Sequence, residues 1–377
     1  MNIHFSSRNS YVFSIRRRLY GIPDTLLCAA FPTFAPPYTA THNMNIEERI
    51  HAFATLGTHL KGLTHDEFQS IADRASRENP WFTQDNVRMA LDGIIRMLDE
   101  SKLRTWIAPY TFSGTSRQVA LVLAGNIPLV GFHDLLAVLI SGHRALVKLS
   151  SKDSALPKLM LETLAVISPE LHAQVQIAEQ LKDFQAVIAT GSDNSARYFD
   201  YYFGKYPHII RKNRTSVAIL QGDETEAELG ALGTDIFSYF GLGCRNVSKL
   251  LVPAGYTFDR FYPALDAHRD IIHHHKYCNN YDYQKSIMLV NTTPFLDNGF
   301  LMLHESTRQV SPISVVYYEQ YKTPEALAAN LAENADKLQC IVGRAPGATT
   351  PFGQAQFPEV WDYADRVDTL QFLSRLQ

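Results

Sequence analysis

The shortages in this sequence are informative, because each one removes a class of function. Four cysteines in 377 residues, Cys28, Cys244, Cys278 and Cys340, lie far apart, with no Cys-x-x-Cys pair and no zinc-type spacing. That excludes a disulfide scaffold and points to reduced thiols in a cytoplasmic setting. Charge imbalance is also lacking. A formal net charge of −3 gives no field to attract nucleic acid. The longest apolar stretch, Val119 to Ile140, is broken by Asn126, Pro128, His133 and Asp134. Those groups are costly in hydrocarbon, so the stretch reads as a buried strand, turn and helix rather than a membrane span. The Gly-x-Gly-x-x-Gly fingerprint of common dinucleotide folds is absent. From Tyr201 through Gly222 there is no Asp or Glu.

What is present is an ordinary globular composition, 46% apolar and 19% charged, long enough for two domains. Residues 1–43 differ from the rest. They hold Arg16, Arg17, Arg18, several serines and prolines, and Asp24 as their single acid. They read as a poorly ordered extension with a targeting flavour, and Met44 opens a more convincing start. Residues 44–221 read as a helical segment followed by a cofactor-binding domain, 222–345 as a cysteine-bearing domain, and 346–377 as a tail that packs back or oligomerises. Thr64 and Glu67 have capping-box spacing ahead of an apolar helix face. Thr83 can cap a helix with Val87, Leu91, Ile94, Ile95 and Leu98 on one side. Continuous apolar runs at Gln118–Ala124, Ala145–Leu149, Ala186–Ala189 and Ser216–Leu220 read as buried strands. Further strands are expected at Val175–Ala178, Lys249–Val252, Ser286–Val290 and Ile313–Tyr317. Helices are expected at Leu129–Ser141, Leu156–Ile167, about Asp223–Phe240 and Pro324–Asp336. Strands alternating with helices specify an α/β fold with parallel sheets.

Four segments carry chemistry. Gly125-Asn126-Ile127-Pro128-Leu129 follows the first strand, at the carboxyl edge where open sheets bind ligands. The Asn126 amide suits an oxyanion donor or a plain turn asparagine. Lys148, with Ser150 and Ser151, ends the next strand. It suits a ribose or phosphate contact or a snorkelling lysine. Thr190-Gly191-Ser192 precedes a helix and suits a phosphate site or a simple cap. Cys244 sits between a helix end and a strand, flanked by Gly241 and Gly243, and suits a nucleophile or a small buried hydrophobe.

The order of these pieces resembles that of the aldehyde dehydrogenase superfamily and, more closely, the LuxC-type acyl-CoA reductases, over Met44 to Leu376. Gly125–Leu129, Gly142–Ser150, Thr190–Ser192, Gly241–Pro253 and the tail Pro351–Gln356 with Tyr363-Ala364-Asp365 carry the resemblance. It implies two domains, each with a mostly parallel open sheet covered by helices. It also implies that Cys244 carries an acyl group, with Asn126 and the backbone N–H near Cys244 holding the oxyanion. The cofactor set is then Lys148 on the adenosine ribose, Ser192 on the pyrophosphate, and Ser150, Ser151, Thr190 and Gly191 around them. Acid-forming relatives carry a water-activating glutamate where this chain has its acid-free stretch, so the acyl-cysteine is expected to await hydride. NAD-preferring relatives place a glutamate at the position of Ser151, so NADPH is expected and NADH remains possible.

The substrate is then an acyl-CoA or other acyl thioester. A homo-oligomer and acyl-transferring or acid-activating partner subunits are expected by analogy. An aldehyde dehydrogenase running to the acid and a non-catalytic acyl-binding relative are the alternatives. Arg211, Lys212 and Arg214 read as a solvated basic face or as contacts to coenzyme A phosphates. His273-His274-His275 reads as a polar loop rather than a metal site.

Overall fold

The computed structural model describes residues 44–112, 114–191 and 193–376. The extension expected at 1–43, and Ser192, lie outside the described residues. The chain divides into two compact units. One is Met1–Arg211 with Glu359–Tyr363 and Val367–Gln377; the other is Lys212–Pro358 with Ala364–Arg366.

The first unit opens with helices α1 (Ile46–Lys61), α2 (His65–Glu78), α3 (Gln84–Met97) and α4 (Glu100–Ile107). Asn45 with Glu48, and Thr64 with Glu67, form reciprocal capping boxes that satisfy N–H groups the first turns leave free. Thr83 caps α3, which buries Val87, Leu91 and Ile94. These side chains enter one core with Phe53, Leu56 and Leu60. Each fully buried aliphatic or aromatic side chain there contributes about 1.5–3 kcal/mol.

Then come β1 (Gln118–Val122), α5 (Phe132–Ile140), β2 (Arg144–Lys148), α6 (Ala155–Ile167), α7 (Pro169–His172), β3 (Val175–Ile177), β4 (Ala186–Thr190), α8 (Asp193–Phe203) and β5 (His208–Arg211). The five strands form a parallel sheet in the order β3-β2-β1-β4-β5. β1 and β4, covered on both faces, are apolar throughout their centres, as the continuous runs required. α5 is buried on nearly every side, which is why it shows no polar face.

The second unit holds β6 (Thr215–Ile219), α9 (Glu226–Phe237), β7 (Val247–Pro253), α10 (Phe261–Ala264), α11 (His275–Val290), β8 (Leu296–Asp297), β9 (Met302–Glu305), β10 (Val315–Tyr321), α12 (Pro324–Glu333) and β11 (Leu338–Val342). Its six-stranded sheet runs β11-β6-β7-β10-β9-β8, parallel except at β8. The chain closes with α13 (Thr369–Ser374), part of the first unit.

Three expectations are corrected here. The strand at Ser216–Leu220 was grouped with the cofactor-binding segment, but β6 is hydrogen-bonded between β7 and β11 in the second sheet. Nothing local in an apolar five-residue run says which sheet it joins. Ser286–Val290 is not a strand but the end of α11, anchored by buried Tyr277, Tyr281 and Met288. Its Ile-Met-Leu-Val composition suits either state, and packing on one helical face decides it. The histidine tract is not a loop, because His273 closes a 3₁₀ turn and His275 opens α11. Among the described residues, no helix is long and apolar enough to cross a membrane.

Candidate functional site

Strand order in the first sheet fixes where a ligand can enter. From β1 the chain moves through β2 to β3 on one side, then returns to place β4 and β5 on the other. The connections leaving β1 and β4 therefore diverge, and the carboxyl ends at such a switch point are where open parallel sheets bind ligands. Three expected residue groups gather on this edge. Asn126 is exposed at the tip of the turn after β1. Lys148, exposed, is the last residue of β2, and Ser150 and Ser151 follow it. Thr190 ends β4 and Gly191 follows.

The backbone makes these positions particular. A Cβ at Gly125 would stand 2.5 Å from Ser150 Oγ and 3.1 Å from the Asp153 amide, so the Asn126 turn packs flush on the turn after β2. A Cβ at Gly191 would meet Ser195 Cβ at 2.8 Å and the Phe199 ring at 2.9 Å, so this glycine lets α8 close on the strand end. The turn after Lys148 contains one acid, Asp153, but it is 2% exposed and accepts the Leu129 N–H at 2.7 Å. Only Ser151 and Lys152 face solvent there.

Cys244 belongs to the second unit and is half-buried. Three successive left-handed residues, Tyr239 (φ 51°), Phe240 (φ 58°) and Gly241 (φ 78°), turn the chain sharply after α9. The two non-glycine residues cost about 1–2 kcal/mol each. Asn246 holds the turn. Its Nδ2 lies 3.1, 3.3 and 2.8 Å from the carbonyls of Asp235, Ile236 and Ser238, and its Oδ1 accepts the Gly243 N–H at 2.8 Å. One buried amide thus serves the free carbonyls at the end of α9 and fixes the residue before the cysteine. Ser216 Oγ donates to the Cys244 carbonyl at 3.0 Å and accepts the Cys340 N–H at 3.0 Å.

The thiol itself is not pre-ionised. Burial pushes it up to about 11; Arg245 opposes this, while Asp365 and Cys340 add to it. Arg245 Nη1 lies 3.3 Å from Cys340 Sγ and 3.5 Å from the Ala355 carbonyl. The Gly353-Gln354-Ala355 part of the tail is itself fastened to Asp235. That fully buried carboxylate accepts the N–H groups of Gly353 (2.6 Å) and Ala355 (2.9 Å), and burial raises it to about 6 against those bonds.

The basic cluster is reassigned. Arg211 is neither a solvated cation nor a phosphate ligand. It is 2% exposed, pairs with Asp134 at 2.6 Å, and donates to Thr369 Oγ1 at 2.9 Å. Arg214 pairs with Asp365 at 3.4 Å and donates to the Leu338 carbonyl at 3.1 Å. Lys212 is exposed. Asp365, left-handed at φ 56°, is the carboxylate whose charge acts on Cys244. It arrives from more than a hundred residues downstream, so scanning the stretch before the cysteine could not find it. Asn246, two residues past the cysteine and ahead of an apolar strand, was the one missed residue that local sequence marked.

Comparison with known proteins agrees with this architecture. The model of the family Acyl-CoA reductase (LuxC) matches residues 47–259, more than half of the chain. A putative methylmalonate-semialdehyde dehydrogenase from Sinorhizobium meliloti 1021, complexed with NAD, superposes with a TM-score of 0.60 at 15% identity, over 88% of this chain and 76% of that one. Aldehyde dehydrogenase 21 from Physcomitrella patens, in complex with succinate, gives 0.56 at 14% identity, over 90% and 79%. An NADP-dependent glyceraldehyde-3-phosphate dehydrogenase from Bacillus halodurans C-125, complexed with NADP, gives 0.56 at 12%, over 81% and 75%. No curated protein matches. The fold is that of the aldehyde dehydrogenases. This chain belongs to the LuxC acyl-CoA reductase family.

Proposed function

We propose that this protein reduces a fatty acyl thioester of coenzyme A to an aldehyde through an acyl-Cys244 intermediate. The observation that carries the reading is Cys244 itself. It is half-buried on a loop fixed by Asn246 and Ser216, and the chain leading up to it holds no carboxylate from Tyr201 through Gly222.

The Cys244 sulfur attacks the thioester carbonyl carbon, and its proton leaves with the coenzyme A sulfur as that C–S bond breaks. Because the thiolate is the nucleophile and burial disfavours it, the Cys244 proton has to leave as the sulfur attacks, and the departing coenzyme A sulfur takes up a proton in exchange. The carbonyl oxygen gains negative charge, and Asn126 is assigned to donate its amide to it. When bound, the reduced nicotinamide supplies hydride to the acyl carbon. The C–S bond to Cys244 then breaks, the aldehyde leaves, and the sulfur takes up a proton from solvent. The group's adenosine end suits Lys148, Ser150, Ser151, Thr190 and Gly191, with Ser192 assigned to the pyrophosphate. Gly191 keeps the close packing such a cradle needs. With Asp153 turned inward, the turn after Lys148 presents Ser151 and Lys152 to solvent, which favours the 2′-phosphate of NADPH. The protein is further read as a cytoplasmic homo-oligomer that works with an acyl-transferring or acid-activating partner.

Intact mass after adding a long-chain acyl-CoA without reductant tests the reading. One acyl adduct is expected on the wild type and none on Cys244→Ala. Absence of the adduct from wild-type protein rejects it.

A second reading follows from Asp365. A carboxylate acting electrostatically on the thiol can activate water, and then the enzyme would oxidise aldehydes to acids. Asp365 is engaged by Arg214, and its N–H is held by Gln339 Oε1 at 2.9 Å, which favours a structural role. Rapid acid formation from aldehyde, abolished by Asp365→Asn, would establish this alternative.

A further inference from the structure

We propose that Asp153 is a positioning residue for the oxyanion turn, holding Asn126 in place through the Leu129 backbone N–H. The assignment rests on the role given to Asn126 above.

The turn Gly125–Leu129 is held at both ends. At its start, the Gly125 carbonyl accepts Asn79 Nδ2 at 3.5 Å, and Gly125 has no room for a Cβ. At its end, Asp153 Oδ2 accepts the Leu129 N–H at 2.7 Å. Leu129 is left-handed (φ 56°), a conformation that a leucine keeps only when its surroundings impose it. The carboxylate supplies that constraint, a single short bond on the residue where the backbone is least content. Asp153 is itself rigid. Its N–H donates to the Ser150 carbonyl at 3.3 Å, and Ser150 Oγ accepts the Lys152 N–H at 3.2 Å. The next residues are fastened to α2, because Glu78 accepts the N–H groups of Ser154 and Ala155 at 2.8 Å.

The second observation is the other carboxylate oxygen. Asp153 Oδ1 is buried without a hydrogen-bond partner. A buried carboxylate with one oxygen unserved is unfavourable, and burial with the nearby Glu78 charge raises it to about 7, against the Leu129 bond. A group kept at such cost beside a strained turn marks a functional constraint rather than simple packing. The turn that carries Asp153 is itself closed by a backbone bridge between Ser150 and Asp153.

The test compares Asp153→Asn, which keeps an acceptor for Leu129, with Asp153→Leu, which keeps the volume without one. Steady-state NADPH oxidation with a long-chain acyl-CoA is measured for both, alone and in an Asn126→Ala background. Asp153→Leu is expected to lower kcat about tenfold or more, with the KM for NADPH within about twofold. Asp153→Asn is expected to restore most of kcat. In the Asn126→Ala background Asp153→Leu should add less than about twofold, because its effect acts through Asn126. An unchanged kcat in Asp153→Leu, equal losses in both variants, or full additivity with Asn126→Ala overturns the assignment. Wild-type protein that turns over no acyl-CoA overturns the role of Asn126, and this inference with it. If Asp153→Leu does not fold, Asp153→Ser, too short to reach Leu129, replaces it under the same criteria.

Discussion

The two turns to which the proposal assigns chemistry are held by different kinds of side chain. The turn at Asn126 is pinned by a carboxylate, Asp153, through the left-handed Leu129. The loop at Cys244 follows the left-handed Tyr239 and Phe240, and is pinned by an amide, Asn246, through Gly243. The amide reaches four backbone groups and stays neutral at any pH. The carboxylate makes one bond, leaves an oxygen unserved and titrates near neutrality. The Cys244 loop, held by a neutral group, keeps its shape whatever the proton activity, whereas the Asn126 turn is tied to a group that titrates.

Breaking the neutral pin should have the largest effect. Asn246→Ala leaves several buried backbone groups unserved and is expected to cost about 3 kcal/mol or more. The midpoint of urea unfolding should fall, and acylation of Cys244 should slow in the protein that remains folded. A midpoint within experimental error of wild type would mean that Asn246 is not what holds the loop. Gly125→Ala comes next. Its methyl group would press on Ser150 Cβ at 2.8 Å and on the Asp153 amide, so a loss of about 1–3 kcal/mol is expected. A Tm equal to wild type would show that the two turns are not packed flush.

Asp153→Asn should sharpen the contrast in the opposite direction. The folded-state value near 7 lies above the ordinary carboxylate range, so folding favours the proton. The stability from this group is full below about pH 4 and is lost as pH rises through 7. Asparagine does not titrate. The variant should therefore gain stability relative to wild type on going from pH 5 to pH 8, by about 1–3 kcal/mol. Thermal unfolding across that range, with the difference flat, would refute a buried, neutralised carboxylate. Asp365→Asn is the smallest change. Removing a charge that raises the thiol should lower it, so alkylation of Cys244 at pH 8 should quicken by about two- to threefold. A slower reaction would reverse the sign assigned to that carboxylate.

Local pattern exposed much of this molecule. The capping pair Thr64 and Glu67, the run into β1 and the glycine turn after it are all short-range, and each gives the element it signals. The same holds for the placement of Lys148 and Thr190 at strand ends. What stayed hidden depends on partners distant in sequence. Arg211 looked like part of a basic face because its acid, Asp134, lies 77 residues earlier. Asp365 and the Asp235 bonds to Gly353 and Ala355 lie more than a hundred residues from what they serve. The run at Ser286–Val290 has side chains equally at home in a strand, and only its contacts make it a helix.

The buried Arg211 guanidinium has a practical consequence for anyone who wishes to separate the halves of this molecule. It closes β5, the last strand of the first sheet, yet one of its anchors, Thr369, comes from α13. His143, in the same unit, likewise reaches the Leu373 carbonyl. A fragment ending at Arg211 would be cut off from both, with an ion pair partly uncovered and a ring nitrogen unmatched. One scission cannot release the first unit intact, because it also needs Glu359–Tyr363 and Val367–Gln377 from the far end of the sequence.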